Sequence, residues 1–239
     1  MDKFSLQESQ PGQEWLEGRL ILLDKPLHWT SFQLTKKVRV LLEKKYRFKK
    51  LKVGHAGTLD PLATGLMIIG TGKMTKQLST FQSEEKEYVA TIRFGATTPS
   101  FDLETAEDQQ YPFEHITYNR INKVLDDLSG LQWQTPPLFS AKKVKGIRAY
   151  EMARKGQEQK LTPVQVHFYE FKILNFSPPE LRIRVVCSKG TYLRAFARDL
   201  GIQLHSGAFL TGLRRLRSGR FNVENAQTLE SFEKSISAL

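Results

Sequence analysis

The chain has 239 residues, with 36 Lys and Arg against 25 Asp and Glu, a formal net charge of +11. Its 40% hydrophobic and 26% charged content is that of a folded globular chain and excludes a disordered or collagen-like one. One cysteine, Cys187, excludes an internal disulfide framework and a cysteine-clustered metal site, and fits a reducing compartment.

Residues 1–18 are rich in Gln, Ser, Pro and Gly and read as a flexible tail without the basic start and apolar core of a secretory signal. Residues 19–24 read as a short apolar strand ended by Pro26. Thr30 or Ser31 can cap a helix running to about Lys45, with Phe32, Leu34, Val38 and Leu41/Leu42 on its inner face. Residues 53–65 contain Gly54, Gly57, Pro61 and Gly65 and read as a loop, followed by a buried strand over 66–70. Residues 87–94 alternate, with Tyr88, Ala90, Ile92 and Phe94 on one face of a strand. Residues 97–112 are polar and irregular. A helix over 117–128 turns Ile121, Val124, Leu125 and Leu128 inward and is closed by Gly130. Pro136 and Pro137 mark a loop, and 148–155 a short helix stopped by Gly156. Strands follow over 164–176 and 181–187, then a helix over 191–204, a strand over 213–221 and a last helix over 228–237.

This order lacks a regular βαβ rhythm and predicts an α+β fold with a largely antiparallel sheet. No apolar run nears the ~20 residues needed to span a bilayer, so the expected location is cytoplasmic. Phosphate-loop and dinucleotide fingerprints are absent, and the five histidines form no metal-binding pattern. No metal is expected.

The positive charge is segregated. Nine Lys and Arg fall within 36–52, where Glu43 is the sole acid. A second cluster contains Lys142, Lys143, Lys145, Arg148, Arg154, Lys155 and Lys160, and a third Arg214, Arg215, Arg217 and Arg220. Acids gather at the N-terminus and over 102–108. Such a distribution points to a polyanion, with nucleic acid the foremost candidate and salt-dependent binding its consequence.

Chemistry concentrates in the loop Gly54-His55-Ala56-Gly57-Thr58-Leu59-Asp60-Pro61-Leu62-Ala63-Thr64-Gly65. Glycines permit close backbone approach to a ligand, and Pro61 holds Asp60 extended. A carboxylate so presented can be a nucleophile, a base or a metal ligand, and equally a plain turn residue.

The same loop resembles the signature of the TruB family of pseudouridine synthases. Three further segments resemble that family in its order: Leu22-Leu23-Asp24-Lys25-Pro26; Ser140-Ala141-Lys142-Lys143 with Gly146, Tyr150, Ala153-Arg154 and Gly156; and Cys187-Ser188-Lys189-Gly190-Thr191-Tyr192-Leu193-Arg194. The resemblance runs from about Gly18 to Phe221. It implies a pseudouridine synthase catalytic fold over 19–225, a largely antiparallel mixed sheet flanked by helices with a central RNA-binding cleft. It further implies isomerisation of uridine 55 in the tRNA T-loop, without cofactor, metal or guide RNA.

By the same resemblance Asp60 is the nucleophile, acting on C1′, on the base, or through a glycal. Arg194 pairs with it, since an opposite charge keeps a carboxylate ionised. Tyr88 stacks on the flipped base or moves a proton. Tyr192 and Leu213 line the same pocket, and His55 plugs the T-loop beside the extruded base. Lys25 supports the site floor or a phosphate, and Lys143 grips RNA.

The sequence departs from the family twice. His28 stands where the motif after Lys25-Pro26 has Gly. Only 18 residues follow Phe221, so 226–239 read as a short C-terminal helix without the family's PUA-type RNA-binding domain. The expected partner is the tRNA T-arm and the expected state a monomer. Two other readings are a non-catalytic RNA chaperone, for which Asp60, Arg194 and Tyr88 together would be superfluous, and a guide-dependent enzyme like dyskerin, which expects a PUA domain.

Overall fold

A computed structural model describes residues 11–138, 143–144, 147–148 and 161–238. In chain order the elements are α1 (Gln13–Glu17), β1 (Leu20–Lys25), α2 (Ser31–Tyr46), β2 (Val53–His55), β3 (Ala63–Thr71), α3 (Leu78–Ser83), β4 (Lys86–Phe94), β5 (Ala96–Thr97) and β6 (Gln109–Gln110). They continue with α4 (Tyr118–Leu128), β7 (Gly130–Gln134), β8 (Lys143–Val144), β9 (Ile147–Arg148), β10 (Val164–Ser177), β11 (Glu180–Cys187), α5 (Leu193–Gln203), β12 (Ala208–Ser218), β13 (Phe221–Asn222), β14 (Gln227–Thr228) and α6 (Leu229–Ala238). They form two compact units, one of residues 1–83 with 220–239 and one of 84–219.

In the first unit β3 pairs antiparallel with β1, Leu20 opposite Gly70 through Lys25 opposite Gly65, and with β2. β14 joins β1 in parallel. Ala56, Leu66, Ile68 and Leu78 form a buried core on which Leu20, Leu22, Phe81 and Phe221 pack. α2 starts at a capping box. The Thr30 hydroxyl accepts from the Gln33 N–H at 3.0 Å, and Gln33 Oε1 accepts from the Thr30 N–H at 2.8 Å. Lys44 and Lys45 in its last turn complement the helix dipole. Its buried stripe is Ser31, Leu34, Thr35, Val38 and Leu42. α6 packs on α2 through buried Phe232 and Ile236, with Lys37 and Glu233 paired at 2.8 Å.

The second unit is built on a wholly antiparallel sheet in the order β12-β4-β11-β10-β7. β4 alternates as its sequence requires, burying Tyr88, Ala90, Ile92 and Phe94. α5 packs on β12 and β4, and Phe196 stacks on Phe171 and leans on Phe168, with ring centroids 5.2 and 5.3 Å apart. Glu87, one residue from Tyr88 and therefore on the opposite face, accepts from Arg184 and Arg217, each at 3.1 Å. Burial pushes its carboxyl pKa up, but these two guanidinium hydrogen bonds outweigh it and hold the group below its ordinary value.

Several expectations are corrected. Phe32 is 70% exposed, because it sits one position, about 100° of helix, off the Ser31–Leu34–Thr35–Val38 stripe. The loop expected over 53–65 is shorter at both ends, as β2 pairs with the end of β3 and β3 itself begins at Ala63. Residues 13–17, within the expected tail, form α1. β12 starts at Ala208 rather than at 213, its first three residues buried. β7 has no counterpart in the sequence reading. Of the helix expected over 148–155, Arg148 belongs to β9 and the rest lies outside the described residues.

Candidate active site

Asp60 occupies the short crossing between β2 and β3, and its carbonyl accepts from the Ala63 N–H at 3.0 Å, closing a turn around Pro61. Three neighbours pin this loop. The Ser31 hydroxyl donates to the Leu59 carbonyl at 2.9 Å and accepts from the Leu59 N–H at 2.8 Å. The His28 N–H donates to the Pro61 carbonyl at 2.8 Å. The ammonium of Lys25, a fully buried residue, donates to the carbonyls of Trp29 at 2.6 Å, Pro26 at 3.0 Å and Pro61 at 3.4 Å. Buried charge is tolerated only with such partners, so Lys25 braces the residues flanking Asp60. His28 holds φ 65°, in the left-handed region that favours glycine. His55 stands in β2 opposite Ile69, half-buried. Asp60, His55 and Lys25 thus fall in one unit.

The second unit carries Tyr88, Tyr192, Arg194 and Leu213. Tyr88 is flanked on its sheet face by Val185 of β11 and Arg215 of β12. Leu213 opposes Ala90, two residues from Tyr88, so Leu213 and Tyr88 share that face. Tyr192 is the residue before α5, and Arg194 lies in its first turn, 3% exposed. Arg194 Nη1 donates to the Ser100 carbonyl at 3.2 Å, and its Nε is 3.6 Å from Asp102 Oδ2. The backbone of Lys143 lies on β8, opposite Arg148 of β9, while Lys142 and Lys145 fall outside the described residues.

Three residues of this unit, Asp102, Gln134 and Lys86, are not singled out by the sequence, and a fourth, Arg215, enters it only as part of a basic cluster. Asp102 is 6% exposed, and its Oδ1 accepts from the Glu104 N–H at 3.0 Å, which turns its other oxygen to Arg194. Its signal was the Thr97-Thr98-Pro99-Ser100 run of short polar residues that precedes it, a turn composition. Gln134, 2% exposed, hydrogen-bonds both backbone groups of Tyr192. Lys86 and Arg215, 5% and 1% exposed, bury two cations close to Tyr88. Burial first and the Arg215 charge second lower the Lys86 ammonium to about 8. Among the described residues no group of three or more His, Cys, Asp or Glu is placed to hold a metal ion, and no helix is long and apolar enough to cross a membrane.

The family model described as TruB family pseudouridylate synthase (N terminal domain) matches residues 44–193. The chain is 53% identical over 216 residues to tRNA pseudouridine synthase B of Phocaeicola vulgatus, covering 90% of this chain and 92% of that one. It is 48% identical over 225 residues to the protein of the same name from Flavobacterium johnsoniae, covering 94% and 98%. Among solved structures it resembles a chain in the crystal structure of a Cbf5-Nop10-Gar1 complex, with a TM-score of 0.68 and 26% identity over 92% of this chain and 54% of that one. Four ordered sequence blocks, an antiparallel sheet carrying Tyr88 and Leu213, and full-length relatives at about half identity lead to one assignment: the chain belongs to the TruB family of pseudouridylate synthases.

Proposed function

We propose that this chain converts uridine 55 in the T-loop of tRNA to pseudouridine, with Asp60 as the nucleophile and without a guide RNA. The coarser activity, tRNA pseudouridylation, follows from family membership and from relatives named for it. The reaction is an isomerisation. The N1–C1′ bond breaks, the uracil turns, C5 bonds to C1′, the proton on C5 leaves to water, and N1 takes up a proton from water. Its atoms balance without a cofactor or metal.

The observation that carries the reading is the placement of Asp60. It stands on a glycine-bounded loop fixed by Ser31, His28 and Lys25, as a carboxylate that must meet a reacting carbon in one orientation requires. Arg194 serves as its electrostatic partner, a buried guanidinium at the start of a helix. Tyr88 and Leu213, on one sheet face, take the flipped base, with Tyr192 beside them. His55 and Lys143 contact the T-arm. The catalytic domain spans 19–225, and the protein acts as a cytoplasmic monomer.

The test is release of tritium from tRNA labelled at uridine C5. Wild type releases it and Asp60→Asn does not, while both bind tRNA with similar affinity. Release by the variant at the wild-type rate overturns the assignment of Asp60, and sequencing the product for pseudouridine at position 55 tests the target.

A further inference from the structure

A cavity of about 330 Å³ lies at the start of α2, lined by His28, Trp29, Gln33, Lys36, Lys37 and Val40. Its size is at the lower end of the roughly 300–1,000 Å³ typical of small-ligand pockets. Two consecutive aromatic rings wall it, because the left-handed turn at His28 redirects the chain just before the helix. Val40, 46% exposed, adds apolar surface. Gln33, whose Oε1 caps Thr30, has an amide NH2 to offer a polar edge. The charged groups of the lining are both lysines. Lys37 is shared with Glu233, and Lys36 is exposed. Beyond them α2 bears Arg39, Lys44 and Lys45, and its one acid, Glu43, accepts from the Leu51 N–H at 2.8 Å. Phe32, 70% exposed, stands on the same first turn.

We infer that this cavity is a second nucleobase site for the RNA substrate, distinct from the pocket that takes the reacting uridine. Aromatic walls with cations alongside are what a stacked base and its phosphates require, and such sites are tolerant of base identity. The positive charge of the lining and of the rest of α2 selects a polyanion over a protein partner. The cavity also connects to the reaction. His28, one of its walls, is bonded to Pro61, the residue after Asp60. Through that link a neighbouring unstacked nucleotide of the RNA that presents its uridine to Asp60 docks there. The site contributes affinity and register, and no group in it touches the reacting atoms.

This inference rests on the RNA-modifying reading, and its test is kept separate from turnover. Equilibrium tRNA binding is measured by filter retention for Trp29→Ala, Trp29→Phe, Lys36→Glu and Val40→Glu, with thermal unfolding as the check on folding. Trp29→Ala and Val40→Glu are expected to weaken binding at least fivefold, and Trp29→Phe to recover most of it because a stacking face is restored. For Lys36→Glu the slope of log affinity against log salt falls by about 0.7–0.9, the loss of one phosphate contact. Saturating tritium release stays within twofold of wild type for Lys36→Glu and Val40→Glu, whose residues take no part in the Lys25 brace. Val40 is an exposed helix position, so Val40→Glu keeps the test decisive if Trp29→Ala does not fold. Wild-type affinity in Val40→Glu overturns the proposal whether or not the chain isomerises uridine 55. Tritium release absent from wild type sinks that other reading and leaves the binding comparison standing.

Discussion

The side-chain amide of Gln134 grips the backbone of Tyr192 at both ends, its Nε2 donating to the Tyr192 carbonyl at 3.2 Å and its Oε1 accepting from the Tyr192 N–H at 2.8 Å. Tyr192 offers α5 no side-chain cap of its own. An edge strand, β7, therefore fixes the residue from which α5 departs, and with it the direction in which Arg194 enters the site. Gln134→Leu keeps the volume and orphans the Tyr192 N–H. It is expected to cost about 1–3 kcal/mol in urea unfolding, and to lower saturating tritium release more than tRNA affinity. A variant with wild-type stability and rate would show that the clamp is idle.

Asp102 neutralises Arg194 in a place water barely reaches, both residues being under 10% exposed. Asp102→Asn retains the shape and takes one negative charge away from the guanidinium. Breaking one side of a buried ion pair costs about 3–5 kcal/mol when no other partner compensates; Ser100 supplies a partial one. The expected loss is about 3 kcal/mol, with the turnover number falling at least tenfold and KM little changed. Paired denaturation and single-turnover measurements check both.

Lys86 titrates at about 8 in the folded chain against an ordinary 10.5, through burial and then the Arg215 charge. The unfolded chain thus binds the proton more tightly. Below pH 8 the folded state bears the full penalty, and between about 8 and 10.5 the penalty fades as pH rises. Wild type should gain urea resistance relative to Lys86→Met across that window, and the two should run parallel above it. A constant difference from pH 7 to 10.5 would refute the shift.

His28 holds a left-handed backbone that costs a side-chain-bearing residue about 1–2 kcal/mol. His28→Gly removes that cost and adds about 0.5–1 kcal/mol of unfolded-state entropy. The net expectation is a rise in stability of about 0.5 kcal/mol, read as a higher melting temperature. With one ring gone from the cavity at α2, tRNA affinity should fall at the same time.

The sequence displays what periodicity and motif can display. β4 alternates in its burial as it does in its letters, and the Asp60 loop is announced by its glycines. Elements whose residues violate the usual polarity were illegible. In β7, Leu131 and Trp133 are 63% and 72% exposed while Gln134 is buried, so the strand reads inside out. Gln134 is inward because it serves a backbone 58 residues away, a relation no local pattern encodes. Phe32 misleads for the complementary reason. Its ring is exposed one helix position off the buried stripe, and a large apolar side chain reads as core only when that register is ignored. Asp102 sat among acids that looked like surface, and its counter-charge stands 92 residues further along.

Cys187 ends β11, wholly buried, opposite Lys86, and burial pushes its thiol up to about 12. The thiolate is the form that attacks thiol reagents, so the native molecule offers them almost nothing. As the only cysteine of the chain it is a built-in stopwatch. Each alkylated molecule has opened at the strand end five residues before Tyr192. The labelling rate, compared with that of the unfolded chain, converts into how often the end of β11 opens.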